Sequence, residues 1–451
     1  MSLRNNLNFT KKLFRRISSR NFRDNTGLAL KNSIFHFLTG IIAKVGALFY
    51  TILLLRILMP EKFGLYSLAL STILLFVSFS DLGIGQAIIR FVSREFGKGD
   101  KKKAAAYAVY LTKIKMTLFV IVSILLIISS KFIANTYYQK PISLALLAGS
   151  AYIILAGMVT IIQTLFQSIN NFKPLFYKET IFQILRLFLI PTAVLFLLKN
   201  VSASKSIFLI ILLLDILVLI TLIFLMLFSN KLGFLKYSSV KLNVIEKKEA
   251  RRFTWELGIL GLAGLLFGYT DMIFLGRYVN AEFIGFYQAA FSFIVSSIPL
   301  ISFSSALFPI FSRLSGERLK RGFAKSRNIT LLLSLVVFLI TLLFAPIIIQ
   351  IIGGANYENS VLILRALSFL SISMPLSSLY SSYILAKGYP KSQTYILATS
   401  TLINLILNFL LITSLLKYGQ MAAVIGSCIA TVVSNYFYLV GLIITNKKLK
   451  D

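Results

Sequence analysis

Long apolar runs alternate along the whole chain with short breaks that carry charged residues, proline, glycine or asparagine. A helix rises about 1.5 Å per residue, so roughly 20 apolar residues cross a hydrocarbon core of about 30 Å. The pattern therefore predicts an all-α polytopic membrane protein with about twelve transmembrane helices. The predicted spans are residues 30–58, 64–93, 108–134, 141–170, 174–199, 204–229, 253–278, 283–313, 327–352, 359–387, 391–416 and 420–446.

The composition favours a membrane protein over a soluble one. Of the 451 residues, 57% are hydrophobic and only 14% are charged, whereas soluble proteins carry about 25% charged residues. A net charge of +32 would suggest nucleic acid in a soluble protein, but among apolar spans it indicates contact with anionic membrane lipids. We therefore expect lipids and no nucleic acid as partners. With one histidine and one cysteine, we expect no metal site and no cofactor.

Basic residues concentrate in alternate loops. With the N-terminus placed in the cytosol, the inner segments hold 36 Lys and Arg, the outer loops hold nine, and two remain at mid-depth. Cytoplasmic loops carry such an excess, so we predict a cytoplasmic membrane protein with both termini in the cytosol. The outer loops are all short and leave no room for a catalytic domain, so we do not expect an enzyme.

The longest polar stretch between spans, residues 230–252, divides the predicted helices six and six. We predict that this stretch is a cytosolic linker between two lobes. The N-lobe would comprise residues 28–229 and the C-lobe residues 253–451. Residues 1–27, which are basic and lack an apolar run, are predicted to form a cytosolic arm.

A short motif recurs after the first helix of each predicted lobe. Four positions match at a constant offset of 221 residues: Arg56 with Arg277, Glu61 with Glu282, Gly64 with Gly285 and Tyr66 with Tyr287. Both copies follow odd-numbered spans, which predicts a parallel pseudo-two-fold repeat about the membrane normal, with a central cavity between the lobes. Tight chain reversal at the glycines and membrane-edge anchoring by the arginines are simpler explanations of the same residues.

Four ionisable residues are predicted at mid-depth in the membrane: Lys44, Asp81, Arg186 and Asp215. An ionised group near the bilayer centre costs about 2.5–3.5 kcal/mol, so such residues face protein or water. Lys44 either pairs with Asp81 or acts as a cavity cation. Arg186 and Asp215 either form an ion pair or take part in transport, and a protonated Asp215 is the third possibility.

The stretch Arg56–Ala69, continued by Asp81–Arg90, resembles the polysaccharide-biosynthesis flippases, and so do Asp271–Arg277 and Glu282–Ala290. Their superfamily also includes multidrug and toxic-compound extruders and lipid II flippases. The resemblance implies translocation of a polyprenyl-diphosphate-linked oligosaccharide from the cytosolic to the outer leaflet. It also implies coupling to a proton or sodium gradient, and glycan polymerases or glycosyltransferases as partners.

A diphosphate head needs cations to replace its water when it crosses an apolar barrier. The candidate cations are Lys44, Arg186, Arg56, Arg277, Arg90 and Arg365, of which the last two also fit membrane-edge positions. The candidates for ion coupling are Asp81, Asp215, Asp271 and Glu179. In addition, Gly261, Gly264 and Gly268 predict close helix contacts in span seven, and Asn404 and Asn408 predict interhelical hydrogen bonds.

Three other interpretations stay open. An exporter of small cationic compounds with the same fold needs an acidic cavity, whereas the mid-depth charges are two basic and two acidic, with Lys178 nearby. The lipid II flippases of the resembled superfamily usually have more helices than the predicted twelve. A non-transporting scaffold of a glycan-assembly complex predicts no central cavity.

Overall fold

The computed structural model describes residues 25–197, 201–237, 240–302, 307, 311 and 316–448. In these ranges every regular element is helical, and twelve helical segments are long and apolar enough to cross a membrane. The predicted all-α membrane protein with twelve spans is confirmed. Of the predicted arm, residues 1–24 lie outside the described residues, and residues 25–27 begin the first helix.

The helices of the first half lie within residues 25–237. They are α1 (Asn25–Ile57), α2 (Pro60–Asp81), α3 (Ile84–Gly97), α4 (Lys101–Lys131), α5 (Ser143–Ser168), α6 (Lys173–Leu197) and α7 (Ala203–Leu227). A π-helical segment, Phe132–Tyr138, extends α4, and a 3-10 segment, Ser229–Tyr237, follows α7. The face at which α1 begins, predicted to be cytosolic, is called the inner face below, and the opposite face is called the outer face.

The helices of the second half lie within residues 244–448. They are α8 (Val244–Tyr278), α9 (Ala281–Ile301), α10 (Gly316–Leu343), α11 (Ala345–Ile352), α12 (Ser360–Leu367), α13 (Leu370–Ala386), α14 (Pro390–Leu415) and α15 (Gln420–Lys448). Short 3-10 turns, Ala355–Tyr357 and Leu416–Tyr418, follow α11 and α14.

The predicted second span, residues 64–93, consists of two helices. Leu82 and Gly83 have φ angles of 38° and 79°, so the backbone is left-handed at both residues and α2 ends there. The prediction missed this break although Asp81, Gly83 and Gly85 lie at it, because apolar residues continue directly on both sides of the turn. The predicted tenth span, residues 359–387, is also divided into two helices, α12 and α13, but the backbone at Ser368 and Phe369 between them stays right-handed.

The eighth helix begins nine residues earlier than predicted, at Val244. Asn243 caps it, since its side chain accepts a hydrogen bond of 2.8 Å from the backbone of Glu246, while the Glu246 carboxylate accepts one of 2.9 Å from the Asn243 backbone. This capping box starts a helix inside the predicted linker, residues 230–252. The first turns of α8 are tied to the N-lobe, because Glu249 pairs with Arg94 at 3.0 Å.

The two repeated glycines lie face to face between the lobes. A Cβ atom on Gly64 would sit 1.8 Å from the carbonyl oxygen of Ala281, and one on Gly285 would sit 2.1 Å from that of Pro60. Both glycines lie inside helices, in α2 and α9, so the explanation by tight chain reversal is wrong. Their role is to let α2 and α9 approach closely where the lobes meet most extensively.

The glycines predicted to allow close helix contacts in α8 do not make them. A Cβ atom on Gly261 or Gly268 would meet no atom within 4 Å among the described residues, and one on Gly264 would meet only Leu397, at 3.6 Å. The small-residue pattern alone did not show which side of α8 faces a neighbour, so this prediction is wrong.

The buried apolar core is shared between the lobes at the outer face and divided at the inner face. The largest cluster contains residues of both lobes, such as Leu54 and Tyr287. Towards the inner face, a second cluster surrounds Phe91 in the N-lobe and a third surrounds Tyr383 in the C-lobe. Among the described residues, the lobes therefore share one apolar core at the outer face and have separate cores at the inner face, where α8 contacts the N-lobe as far as Gly258.

Candidate functional site

A cavity of about 280 Å³ lies between the lobes, where α1, α2 and α6 face α8 and α9. Its polar lining consists of Tyr50, Thr51, Tyr66, Ser67, Ser71, Arg186, Tyr269, Gln288 and Ser292. Among the residues that the structure describes, Arg186 is the one charged side chain in this lining. The predicted central cavity is therefore present, which the scaffold interpretation did not predict.

Arg186 presents its guanidinium to the cavity with hydrogen-bond donors to spare. Nη2 donates to the side-chain oxygen of Gln183 at 2.7 Å, and the guanidinium carbon lies 4.4 Å from the centre of the Tyr50 ring. Its buried Nε has no hydrogen-bond partner within the described ranges. Because a guanidinium carries five donors, an anion in the cavity would find several of them free.

A row of polar side chains on α6 leads from the inner face to Arg186. Lys178 pairs with Glu179 at 3.0 Å, and the Gln183 amide donates to Glu179 at 2.6 Å. Since Gln183 also accepts from Arg186, these side chains form one connected row. Glu179, a candidate for ion coupling, is thus held between a cation and an amide.

Lys44 was expected either to pair with Asp81 or to act as a cavity cation, and the pair does not form. Lys44 is exposed on α1, and nothing in the described part of the chain forms an ion pair or hydrogen bond with it. It lies three residues before Ala47 and seven before Thr51, which both line the central cavity, so it shares their side of the helix. Asp81 instead pairs with Lys115, whose side chain is 2% exposed.

The expected ion pair between Arg186 and Asp215 is absent. Asp215 is buried in α7, and neither of its carboxylate oxygens has a hydrogen-bond partner among the residues described. Arg186 turns instead towards Gln183 and the Tyr50 ring. Depth alone suggested this pair, but the rotation of each helix about its axis decides which side chains meet.

Because Asp215 has no partner to lose, Asp215→Asn should leave the amount of protein in the membrane and its melting midpoint unchanged. If Arg186→Asp alone lowers the amount of protein in the membrane or its melting midpoint, the exchanged pair Arg186→Asp, Asp215→Arg should not restore either quantity. Immunoblots of membranes and thermal melts in detergent test both statements. Rescue by the exchanged pair would show that the two side chains do interact.

Asp271 lies in a buried polar cluster of the C-lobe. Tyr287 donates to one carboxylate oxygen at 2.5 Å, and the Asn408 amide donates to the other at 3.0 Å. Ser427 donates to Asn408 at 2.7 Å, which ties α15 to α14 and α8. The interhelical role expected for Asn408 is confirmed. Tyr287 and Ser427 were missed as members of this cluster, because nothing in a sequence of apolar helices links positions so far apart.

Asn404 belongs to the same cluster, one turn before Asn408 in α14. Its amide nitrogen donates to the Ser434 hydroxyl at 2.8 Å, which confirms the interhelical hydrogen bond expected for it. Its side-chain oxygen is buried and has no partner in the described part of the chain. An amide oxygen and a carboxylate therefore lie in one dry cluster, and oxygen atoms of this kind bind hard cations.

Two of the candidate cations lie at the outer face, away from the cavity. Arg56 in α1 donates to the carbonyl oxygens of Gln350, at 2.8 Å, and Ile351, at 3.1 Å, in the C-lobe. Arg277 in α8 donates to that of Thr136, at 2.8 Å, in the N-lobe. These repeat-related arginines each cap the outer end of a helix in the opposite lobe, where a cation is favoured. They therefore hold the outer face closed.

A lysine lies beside the second of these arginine contacts. Lys140 donates to the carbonyl oxygen of Gly276 at 2.8 Å. Burial, together with the nearby Arg277 guanidinium, lowers the pKa of Lys140 to about 8. Lys140 therefore loses its charge as the pH rises above about 8, and at lower pH its ammonium repels the guanidinium within the closed outer face.

The remaining two candidate cations are also distant from the central cavity. Arg90 lies near the inner face with its guanidinium carbon 4.2 Å from the centre of the Phe253 ring. Arg365 lines a separate cavity of about 570 Å³ at the outer face, together with Glu358. Of the six candidate cations, the structure thus brings only Arg186 and Lys44 to the central cavity or its border.

Comparison with solved structures defines the class of fold. An inward-facing multidrug resistance transporter of the MOP superfamily matches with a TM-score of 0.74, over 91% of this chain and 96% of that one, at 14% identity. An inward closed form of the lipid II flippase MurJ matches with a TM-score of 0.69, over 92% and 87%, at 16% identity. An outward-facing multidrug transporter matches less well, at 0.60. The fold is that of a MOP-superfamily transporter, closed at its outer face.

Sequence comparison gives the family. The model of the polysaccharide biosynthesis protein family matches residues 29–315, and the chain belongs to this family. The MatE family model matches residues 262–410. A putative O-antigen transporter of Escherichia coli K12 is 25% identical over 386 residues, 84% of this chain and 89% of that protein. An uncharacterized membrane protein of Methanocaldococcus jannaschii is 23% identical over 426 residues, 90% and 81%. The matched families and folds are those of transporters, not enzymes.

Proposed function

We propose that this protein moves a polyprenyl-diphosphate-linked oligosaccharide from the inner to the outer leaflet of the cytoplasmic membrane, by ion-coupled alternating access and with both termini in the cytosol. The observation that carries this proposal is the cavity between the lobes, with Arg186 as its charged lining residue among those described. Among the described residues, the lobes share an apolar core at the outer face and have separate cores at the inner face. In this state the cavity would receive its cargo from the inner leaflet.

The charge of the cavity favours an anionic cargo. Arg186 has unused donors, and hydroxyl groups of Tyr50 and Ser71 lie in the same lining. Hydrogen bonds from a guanidinium to phosphate oxygens are among the strongest that proteins make. Lys44, exposed at the border of the cavity, would add a second cation on the way in.

A small cationic cargo fits this cavity poorly. No aspartate or glutamate lines it within the described ranges, so nothing there would balance the charge of such a compound. The relatives support the same choice, since one is described as a putative O-antigen transporter and one fold neighbour as a lipid II flippase.

The polar cluster around Asp271 is our candidate for the coupling site, for a proton or for sodium. Asp271 is 5% exposed and directly precedes Met272, a residue of the central cavity lining. Loading of the Asp271 carboxylate would change the hydrogen bonds that join α8 to α9 and α14. Because α8 and α9 also line the cavity, the ion and the cargo would act on the same helices.

Arg186→Ala should reduce surface glycan in the host cell by about 10- to 100-fold, which is the loss expected for a charge-assisted hydrogen bond. Lys44→Ala should also reduce it, and Arg186→Lys should retain part of the activity. The amount of protein in the membrane should not change. Glycan is measured on blots of whole cells after replacement of the chromosomal gene by each variant.

Arg365→Ala is the matched control, since Arg365 is an exposed arginine that lines a different cavity. It should leave surface glycan unchanged. Normal glycan from both Arg186→Ala and Lys44→Ala would contradict the proposal of a cationic binding site.

A further inference from the structure

A second polar cavity, of about 220 Å³, lies inside the N-lobe between α2, α3, α4 and α5. We call it the amide pocket. Its polar lining includes Asp81, Lys115, Gln86, Gln163, Thr164 and Gln167. None of its lining residues belongs to the lining of the central cavity as the structure describes the two. It is therefore a separate polar site within a lobe that is otherwise mostly apolar.

The polar side chains of α5 form one wall of the amide pocket. Thr160, Gln163, Thr164 and Gln167 are spaced by three and four residues, so they lie on one face of the helix. The space in front of them depends on Gly85 in α3. A Cβ atom at that position would lie 3.3 Å from the Lys115 ammonium and 3.4 Å from the Thr164 methyl group.

The three glutamine amides of the pocket have no hydrogen-bond partners among the described residues. No hydrogen bond is formed by the side chains of Gln86, Gln163 or Gln167 to any other described residue, whereas the Gln183 amide binds Glu179 and the Gln288 amide binds Ser292. An amide presents two donors and an acceptor, and here these groups are left to a ligand that enters the cavity. Three such groups around one cavity indicate a site that binds a hydrogen-bonding ligand.

The charge of the pocket does not favour a phosphate. Lys115 is buried, and its charge is balanced by Asp81. The groups left to a ligand are amides, threonine hydroxyls, one carboxylate and the ring of Phe119. These groups donate to and accept from hydroxyl groups and pack against apolar ring faces, which is the chemistry that sugars need.

The amide pocket opens at the surface of the protein. The side chain of Asp81 is 42% exposed, and Gln86 is also exposed. Both lie next to the turn at Leu82 and Gly83, from which α3 continues to the inner face. A ligand can therefore reach this pocket from the inner half of the N-lobe.

We propose that the amide pocket binds sugar hydroxyl groups of the lipid-linked oligosaccharide. This inference rests on the proposed function, in which Arg186 binds the diphosphate. The two cavities would then have different tasks: the central cavity recognises the part that all such carriers share, and the amide pocket recognises the sugars that distinguish them. A site built to hydrogen-bond the hydroxyl groups of a ligand discriminates against ligands that lack them.

Binding to purified full-length protein in nanodiscs tests this division. The probes are the polyprenyl-diphosphate-linked oligosaccharide extracted from the host membrane and undecaprenyl diphosphate, which carries no sugar. Wild-type protein should bind the sugar-bearing lipid more tightly. The double variant Gln163→Ala, Gln167→Ala should bind the sugar-bearing lipid about tenfold more weakly and undecaprenyl diphosphate as before.

The controls separate this inference from the proposed function. Gln393→Ala removes an amide in the C-lobe and should leave the affinity for each of the two lipids unchanged. Arg186→Ala should weaken the binding of both lipids. If Arg186→Ala weakens neither, the diphosphate site is wrong whatever the glutamines do. If the double variant weakens the binding of neither lipid, or weakens the binding of both equally, the amide pocket is not a sugar site and holds water only.

The double variant should fold normally, since the replaced amides hold no described partner in place. Its melting midpoint should match that of wild-type protein. The single variants Gln163→Ala and Gln167→Ala should each show a smaller loss for the sugar-bearing lipid. If the double variant is unstable, the same comparison of the two lipids with the single variants decides the question.

Discussion

Replacing Gly64 with alanine should unseal the outer face and lower transport more than tenfold. The added methyl group would lie 1.8 Å from a backbone carbonyl oxygen, that of Ala281. A backbone oxygen inside a helix cannot turn aside as a side chain can, so α2 and α9 would have to separate. Because these helices form the main contact between the lobes, the inward-open state would lose much of its stability relative to the outward-open state.

Labelling at Leu58 measures this change. Leu58 is 5% exposed, and its carbonyl oxygen accepts a hydrogen bond of 3.0 Å from Tyr357 of the other lobe. With Leu58→Cys in the background, a membrane-impermeant maleimide added from outside should label Gly64→Ala protein faster than protein with Gly64. The native Cys428 is buried and should not react.

A matched control and a repeat-related variant make this test specific. Gly40→Ala introduces the same methyl group in α1, where it would meet no described atom within 4 Å, so labelling and transport should not change. Gly285→Ala should reproduce the effect of Gly64→Ala, since its methyl group would lie 2.1 Å from the carbonyl oxygen of Pro60. If Gly64→Ala behaves like Gly40→Ala, the glycines do not govern closure of the outer face.

Asp271→Asn should abolish the dependence of transport on an ion gradient, with a loss of gradient-driven transport of about a hundredfold. Asparagine has nearly the same shape, so the contacts with Tyr287 and Asn408 can be kept in part. It cannot, however, change its charge by taking up and releasing a proton, and it offers a weaker ligand to sodium. The protein should therefore fold and bind its cargo, but the ion gradient should no longer drive transport.

Proteoliposomes with an imposed proton or sodium gradient provide the measurement. Transport of the lipid-linked oligosaccharide is compared with and without each gradient, which also identifies the coupling ion. Asp215→Asn is the matched control, because it replaces a buried carboxylate of the other lobe that has no described partner. It should keep the gradient dependence. A gradient effect of wild-type size in Asp271→Asn protein would exclude Asp271 as the coupling group.

The two pairs of repeat-related residues explain how a motif that occurs in both lobes stabilises the state with a closed outer face. Gly64 and Gly285 bring the outer halves of the lobes together, and Arg56 and Arg277 bind helix ends across the same contact. The motif therefore occurs in both halves because both lobes contribute equally to one closed outer face. Opening of that face to release cargo would have to break both arginine contacts.

The sequence by itself determined the class of protein, the number of spans and the repeat. These features are local, because a bilayer imposes its thickness and its low polarity on each segment separately. The same local pattern did not show where a helix breaks inside one span, as it does at the left-handed turn of Leu82 and Gly83.

Only the tertiary structure decided which polar residues meet. Asp81 pairs with Lys115 rather than Lys44, and Arg186 faces the central cavity while Asp215 has no described partner. Such contacts depend on how each helix is rotated about its own axis. In a membrane, apolar side chains face lipid and protein alike, so hydrophobicity alone leaves that rotation open. Packing between helices distant in the sequence settles it.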